Sequence, residues 1–248
     1  MELTTEQTTP QTAAAASAAS RAEIAETLAN RIENYRLFSR LLLSPLTEQE
    51  IDSLEAMQLE EVARDMADTG LLAEGLNDMG RGLHRRHTGT TRVLGTDFAM
   101  CFDGVSSYEG LVAVPYASIF KGSITGERAV LFQEPRAKDL AAYRREHVQA
   151  DPSLHLPEDH VSFELSFMAD LSEKAAIAYA SGNRAEVLRL VETSQTFLRE
   201  NILSWYGEFA ELALKILDTR FYRGVVKATH GYLTLDETVL DDLKAALS

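Results

Sequence analysis

Apolar residues recur at intervals of three and four along most of the chain, the spacing that places them on one face of an α-helix. From Arg21 to Leu43 the stripe is Leu28, Ile32, Tyr35, Phe38 or Ser39, and Leu42, and Ser44-Pro45 ends it. Thr47-Glu-Gln-Glu50 reads as a capping box, because the threonine hydroxyl and the Glu50 carboxylate can each satisfy a free N–H at a helix start. A helix is expected from there through about Met66. Leu71 to His87 and Thr91 to Phe102 read as two more, separated by Thr88-Gly89-Thr90, and Pro135 to Gln149 begins with proline at a favoured first position. After a turn at Ser181-Gly-Asn183 come Ala185 to Leu203, Trp205 to Leu217 and Arg220 to Leu233, and Asp236 to Leu247 can form a last helix. The stretch from Asp103 to Glu134 differs: it holds Gly104, Gly110, Pro115, Gly122 and Gly126, and its apolar runs at 110–114 and 129–132 are too short for a sheet. The expected fold class is all-α, a single multi-helix bundle of roughly ten helices over residues 21–248 with an irregular, hinge-like middle at 103–134.

One helix carries polar chemistry on its apolar side. In Leu156 to Leu171, Pro157 discourages an early start and Asp159 is a good N-cap, so the helix is expected to begin at His160. At 100° per residue, Val161, Phe163, Leu165, Phe167, Met168, Leu171 and Ala175 spread over an arc of roughly 200°, leaving Ser162, Ser166, Ala169, Asp170 and Glu173 for solvent. His160 and Glu164 fall inside the apolar arc. They either satisfy one another in the core or look into a groove.

Composition narrows the partners. The chain has 248 residues, 45% of them hydrophobic, enough for a packed core. Its 38 acidic and 24 basic residues give a net charge of -14, which repels nucleic acid and anionic membranes and favours cationic ligands or peptides. The lone Cys101 rules out an intrachain disulfide and any Cys-x-x-Cys motif, which fits a reducing compartment, and it reads as a small buried residue beside Phe98 and Phe102. Residues 1–20 lack the charge pattern of an export signal and read as a disordered tail. No apolar run is long enough to span a membrane. A cytoplasmic location is expected.

Enzymatic readings find little support. His84 and His87 lie three apart on an expected helix, but Arg81, Arg85, Arg86 and Arg92 crowd them with positive charge, so a solvated basic face is expected rather than a metal site. His160 and Glu164 lack the second Glu-x-x-His of a di-iron bundle. Ser118 has no Gly-x-Ser-x-Gly elbow, and no Walker A or Gly-x-Gly-x-x-Gly loop is present. No cofactor, metal or catalytic residue is expected.

Four segments, in order, resemble the TorD/DmsD/NarJ family of redox-enzyme maturation chaperones, most closely its TorD/DmsD branch. Asp97-Phe98-Ala99-Met100-Cys101-Phe102-Asp103-Gly104 is similar to the family's aromatic helix end, with Phe98 in place of the usual tyrosine or tryptophan and Cys101 in place of leucine. Pro115 to Phe120 is similar to its serine-containing element, with Val130-Leu131-Phe132 after it. Pro157-Glu158-Asp159-His160 with Glu164-Leu165-Ser166-Phe167-Met168 resembles its Asp-His hallmark, and the Trp205 helix followed by Phe221-Tyr222-Arg223 its C-terminal part.

The resemblance implies an all-helical chaperone that binds the twin-arginine signal peptide of a molybdopterin oxidoreductase and holds the apo form for cofactor insertion. It implies a peptide groove near Asp159 and His160, Tyr116 and Ser118, and Phe98 and Phe102. Physical expectation agrees: a cationic, apolar-centred peptide needs carboxylates beside apolar surface, which Glu158, Asp159 and Glu164 beside Phe163, Phe167 and Met168 can supply. Asp159 or Glu158 is expected to pair with the arginines, with Phe98, Phe102 and Tyr116 bordering the apolar channel. His160 is expected to make binding pH-sensitive. Two alternatives stand beside this reading: a NarJ-like chaperone of the enzyme body, and a helical metal-dependent enzyme using His160, Glu164, His84 and His87. The chain is expected to be a monomer or a helix-exchanged dimer.

Overall fold

The computed structural model describes residues 10–66, 70–84, 86–124, 134–149 and 152–248, and at 10–20, 122–124 and 152 the backbone alone. Among these residues the chain is all-α: α1 (Pro10–Leu43), α2 (Glu48–Ala56), α3 (Leu59–Asp65), α4 (Leu71–Leu83), α5 (Thr90–Phe102), α6 (Ala117–Ile124), α7 (Glu134–Arg145), α8 (Val161–Ala180), α9 (Arg184–Phe197), α10 (Leu203–Ile216) and α11 (Arg220–Leu247). A π-helical turn, Leu198–Ile202, joins α9 to α10. Two isolated bridges, Tyr108 with Leu111 and Tyr116 with His160, are the β features of the described residues.

α8 is the central helix, with α1 along one side and α9 along another, while α4 lies along α11. That arrangement overturns part of the expected solvent face: Ser166 and Glu173 are exposed, but Ser162 and Ala169 are buried. Small side chains on the polar side let neighbouring helices close over them. In α1 the buried stripe is Leu28, Arg31, Tyr35, Phe38 and Leu42, with Ile32 only half-buried. The residue one place earlier in the chain faces the core, and it is an arginine.

Several boundaries differ from expectation, each for a local reason. The Thr47 capping box forms, with Glu50 N–H donating to the threonine hydroxyl (3.3 Å) and Thr47 N–H to the Glu50 carboxylate (2.8 Å). The helix breaks before Met66, however, because Gln58 takes a left-handed conformation (φ 49°) between α2 and α3. α4 ends at Leu83, so His84 and His87 do not share a helix. The middle stretch is not wholly irregular, since it contains α6. The two expected C-terminal helices are one, α11, and α1 begins at Pro10, inside the stretch expected as a tail. Gly182 (φ 76°) makes the expected turn between α8 and α9. Residues 1–9, Arg85 and the Val130-Leu131-Phe132 run lie outside the described residues. No helix among those described is long and apolar enough to cross a membrane.

Candidate functional site

The site forms where the approach to α6 crosses the approach to α8. Pro115 O accepts from Val161 N–H (2.9 Å) and Asp159 O from Ala117 N–H (3.0 Å), which pins Tyr116 against His160. Their rings meet edge to face, 4.9 Å apart at 77°. The N-cap of α8 is His160, whose Nδ1 accepts from Ser162 N–H (3.2 Å), and not Asp159 as expected. Asp159 does cap a helix, but a different one: its buried carboxylate accepts from Ser118 N–H (2.9 Å) in the first turn of α6. Local sequence shows the capping chemistry of Asp159, while only the crossing decides which helix receives it.

Burial sets the protonation state of the groups behind this crossing. His160 is almost fully buried, which pushes its pKa down to about 4. It is therefore neutral from pH 5.5 to 8, and the expected pH sensitivity of binding does not come from the imidazole. Glu164 is fully buried and held well above the ordinary carboxylate range, by burial first and then by the neighbouring Asp139. Asp139, on α7, accepts from Asn201 Nδ2 (2.6 Å), and burial raises its pKa to about 7. Asp139, Asp159 and Glu164 thus form a buried acidic cluster in which Asp139 Oδ2, Asp159 Oδ1 and both Glu164 oxygens lack hydrogen-bond partners. Trp205 Nε1 and the Asp139 carboxyl both lie against Glu164, though neither contact closes to good hydrogen-bond geometry. Glu158 sits on the rim, half-buried and ion-paired with Arg136, and its carbonyl accepts from Tyr143 Oη (3.1 Å).

Sequence reasoning missed Asp139, although a signal was there. Pro135, Asp139 and Tyr143 are buried at four-residue spacing on one face of α7, so the aspartate shares the face of an apolar ring. Its pKa carries a stability consequence with a definite sign. A carboxyl whose folded value is raised contributes fully below its unfolded value near 4, and that contribution is lost as pH rises through about 7. Asp139→Asn removes the loss and keeps an acceptor for Asn201. The variant is expected to be more stable than wild type at pH 8, by on the order of 2 kcal/mol, and nearly equal at pH 4.5. Thermal melts at the two pH values check this, and equal stability at pH 8 would rule it out.

The aromatic residues are placed differently from expectation. Phe98 and Phe102 are buried core residues, packed edge to face on each other (5.0 Å) and against Tyr222. Among the described residues both rings are enclosed, each only 3% exposed. Phe102 instead begins a row running through Phe209 (6.0 Å) and Phe120 (5.8 Å) to Trp205 (5.7 Å, stacked), which ends beside Glu164. A cavity of about 200 Å³ does lie beside the site, with an apolar wall of Leu43, Val148, Leu154, Phe163 and Phe167 and a polar one of Ser39, Gln149, Ser162, Ser166 and Asp170. Phe163 borders it and lies 6.2 Å, centroid to centroid, from His160.

Among the described residues no group of three or more His, Cys, Asp and Glu side chains could hold a metal ion. His84 Nδ1 pairs with Glu60 (2.5 Å), and His87 Nδ1 accepts from Gly89 N–H (3.0 Å). Ser118 meets Asp159 through its backbone rather than its hydroxyl, so the two make no nucleophilic relay. Cys101 is free, buried and held well above the ordinary thiol range by burial.

Comparison with known proteins places this geometry. The sequence pattern described as "Nitrate reductase delta subunit" matches residues 63–211, more than half of the chain and the whole of the α6–α8 crossing. The chain belongs to the nitrate reductase delta subunit family. Relatives include proteins named "Chaperone protein TorD" from Vibrio vulnificus (strain YJ016), 26% identical over 224 residues that cover 88% of this chain and 98% of the relative. Another, from Vibrio cholerae serotype O1 (strain ATCC 39315 / El Tor Inaba N16961), is 25% identical over 217 residues covering 86% and 93%. A third, from Aliivibrio fischeri (strain ATCC 700601 / ES114), is 23% identical over 209 residues covering 83% and 92%. These relatives are chaperones by name, not enzymes. The delta subunit family match includes Asp139, Asp159, His160, Glu164 and Trp205, and ends before α11.

Proposed function

We propose that this protein is a cytoplasmic chaperone of molybdoenzyme maturation that binds the twin-arginine signal peptide of a molybdopterin oxidoreductase and holds the apo form for cofactor insertion. The observation that carries the reading is the α6–α8 crossing, where Asp159 and His160 meet Tyr116 with incompletely satisfied carboxylate oxygens behind them and a partly apolar cavity beside Phe163. Carboxylates attract the arginines and the cavity takes apolar residues that follow them. The net charge of -14 adds a long-range pull on a cationic peptide. The relatives, named chaperone proteins, support the chaperone part of this role.

Asp159→Asn keeps an acceptor for Ser118 N–H and removes the carboxylate. Calorimetry with a synthetic peptide containing two adjacent arginines and an apolar segment is expected to show affinity at least about 10-fold weaker, ~1.4 kcal/mol, with an unchanged melting temperature. Wild-type affinity in Asp159→Asn and Glu158→Gln alike would sink the reading. A second reading, a chaperone of the enzyme body, is favoured by an exposed apolar turn of Val105, Tyr108 and Leu111 next to Met100, at the far end of the segment leading to Tyr116. A client lacking its signal peptide separates the two, since it binds only under the second.

A further inference from the structure

The buried acidic cluster is incompletely satisfied by the chain around it. Asp139, Asp159 and Glu164 make no ion pair among the described residues, and four of their six carboxylate oxygens are unpartnered. Two further polar groups in the same place, Ser118 Oγ and Trp205 Nε1, are fully buried and also unpartnered. Asp139 and Trp205 lie loosely against Glu164, which leaves Asp159 Oδ1 and Ser118 Oγ as the fully open atoms, at a cost of roughly 1–3 kcal/mol each. Lys121, on α6, is the cation that all three carboxylates attract, yet its Nζ donates to the Glu200 carbonyl (3.0 Å). Burial holds its ammonium below the ordinary lysine range.

We propose that Asp139, Asp159 and Glu164 form one cation-accepting cluster, and that Lys121 holds a place which an arginine side chain of the bound peptide takes over. The proposal rests on the peptide-binding reading above and adds to it the acceptor, the guarding residue and a proton cost. A guanidinium carries five N–H donors in a rigid planar fork, against three on an ammonium, which suits several carboxylate oxygens at different angles. It is also less strongly hydrated and so is the cheaper cation to bury.

Protons link to this exchange. Burial raises both Glu164 and Asp139, Asp139 to about 7, so part of the Asp139 population holds its proton at neutrality; a guanidinium favours the charged forms, and protons pass to the buffer on binding. The charged and titratable groups that act on the cluster are Lys121 from α6, Tyr116 just before it, and Arg136 and Tyr143 from α7, with His160 next to Asp159 in the turn before α8. Glu158, held by Arg136, flanks it, and Asn201 and Trp205 close it from the π-turn and α10. His160 is neutral throughout the range, and Glu158 keeps its charge, so the linkage between pH 6 and 8 belongs first to Asp139, with Glu164 raised in the same direction.

The test is calorimetry of the full chain with the twin-arginine peptide in two buffers of different ionisation enthalpy. Wild type is expected to release protons at pH 7 and to bind more tightly at pH 8 than at pH 6. Lys121→Gln is expected to bind about 5–10-fold more tightly, because the internal competitor is gone. Glu164→Gln is expected to bind at least about 10-fold more weakly, with reduced proton release and wild-type melting temperature. Unchanged or weaker binding in Lys121→Gln, with the wild type binding normally, overturns the proposal and leaves the peptide-binding reading standing. Wild-type binding without proton release overturns the linkage. A wild-type chain that binds no peptide overturns both readings at once.

Discussion

Arg31→Met is expected to lose about 3–5 kcal/mol of folding stability, read as a lower urea midpoint at unchanged slope. Arg31 and Asp236 are both buried, on helices at opposite ends of the chain, and form a bidentate pair at 2.7 and 3.0 Å. Tyr35 Oη donates a third bond to the same carboxylate (2.6 Å). The guanidinium also lies 5.6 Å from the Tyr35 ring centroid, close enough for cation–π attraction. The methionine removes one charge and leaves the other sealed in the core, where its desolvation is no longer offset. Arg31→Met with Asp236→Leu removes both charges and keeps most of the volume. The double variant is expected to recover most of the loss, to within about 1 kcal/mol of wild type or better. A single variant as stable as wild type would show that the pair does not hold α1 to α11.

Gly75→Val and Gly231→Val are each expected to cost about 3 kcal/mol or more, read by thermal or urea unfolding. These glycines lie on the contact between α4 and α11. A Cβ on Gly75 would overlap the Ala228 backbone, and one on Gly231 the Leu72 backbone. On Gly224 it would stand 2.6 Å from Met79 N, and on Gly82, 2.7 Å from Phe221 N. The four contacts step in opposite directions along the two helices, so the seam is antiparallel. Each helix supplies two glycines seven residues apart, two turns of one face. The obstructing atoms are backbone and cannot rotate away, so the helices must separate and the core along them loses its packing. Gly207→Ala on α10 is the control. Its Cβ would meet only His230, at 3.8 Å, and it is expected to gain up to about 1 kcal/mol from helix propensity. Equal effects of all three substitutions would mean that close approach is not what α4 and α11 require.

Much of the bundle was legible because helix formation is a local matter. Stripe spacing marked most of the helices, the Thr47 and Glu50 capping box formed where its residues stood, and Gly182 made the turn its neighbours announced. Errors came where the chain's own pattern is weak. The eight-residue α6 carries too short a stripe to be counted, and Gln58 breaks a helix without a proline or glycine to mark it.

The candidate site divides along the same line. Sequence by itself determined the residue types at the α6–α8 crossing, the excess of negative charge, and the family resemblance that the comparisons bear out. Only the tertiary structure decided that Asp159 caps α6, that His160 is too buried to titrate near neutrality, and that Phe98 and Phe102 are core. It also brought in Asp139 and Lys121 and buried Arg31 against Asp236. The physical reason is common to all of these. Capping chemistry and periodicity depend on a few neighbouring residues, whereas burial, pKa and the choice of hydrogen-bond partner depend on what a distant segment places alongside.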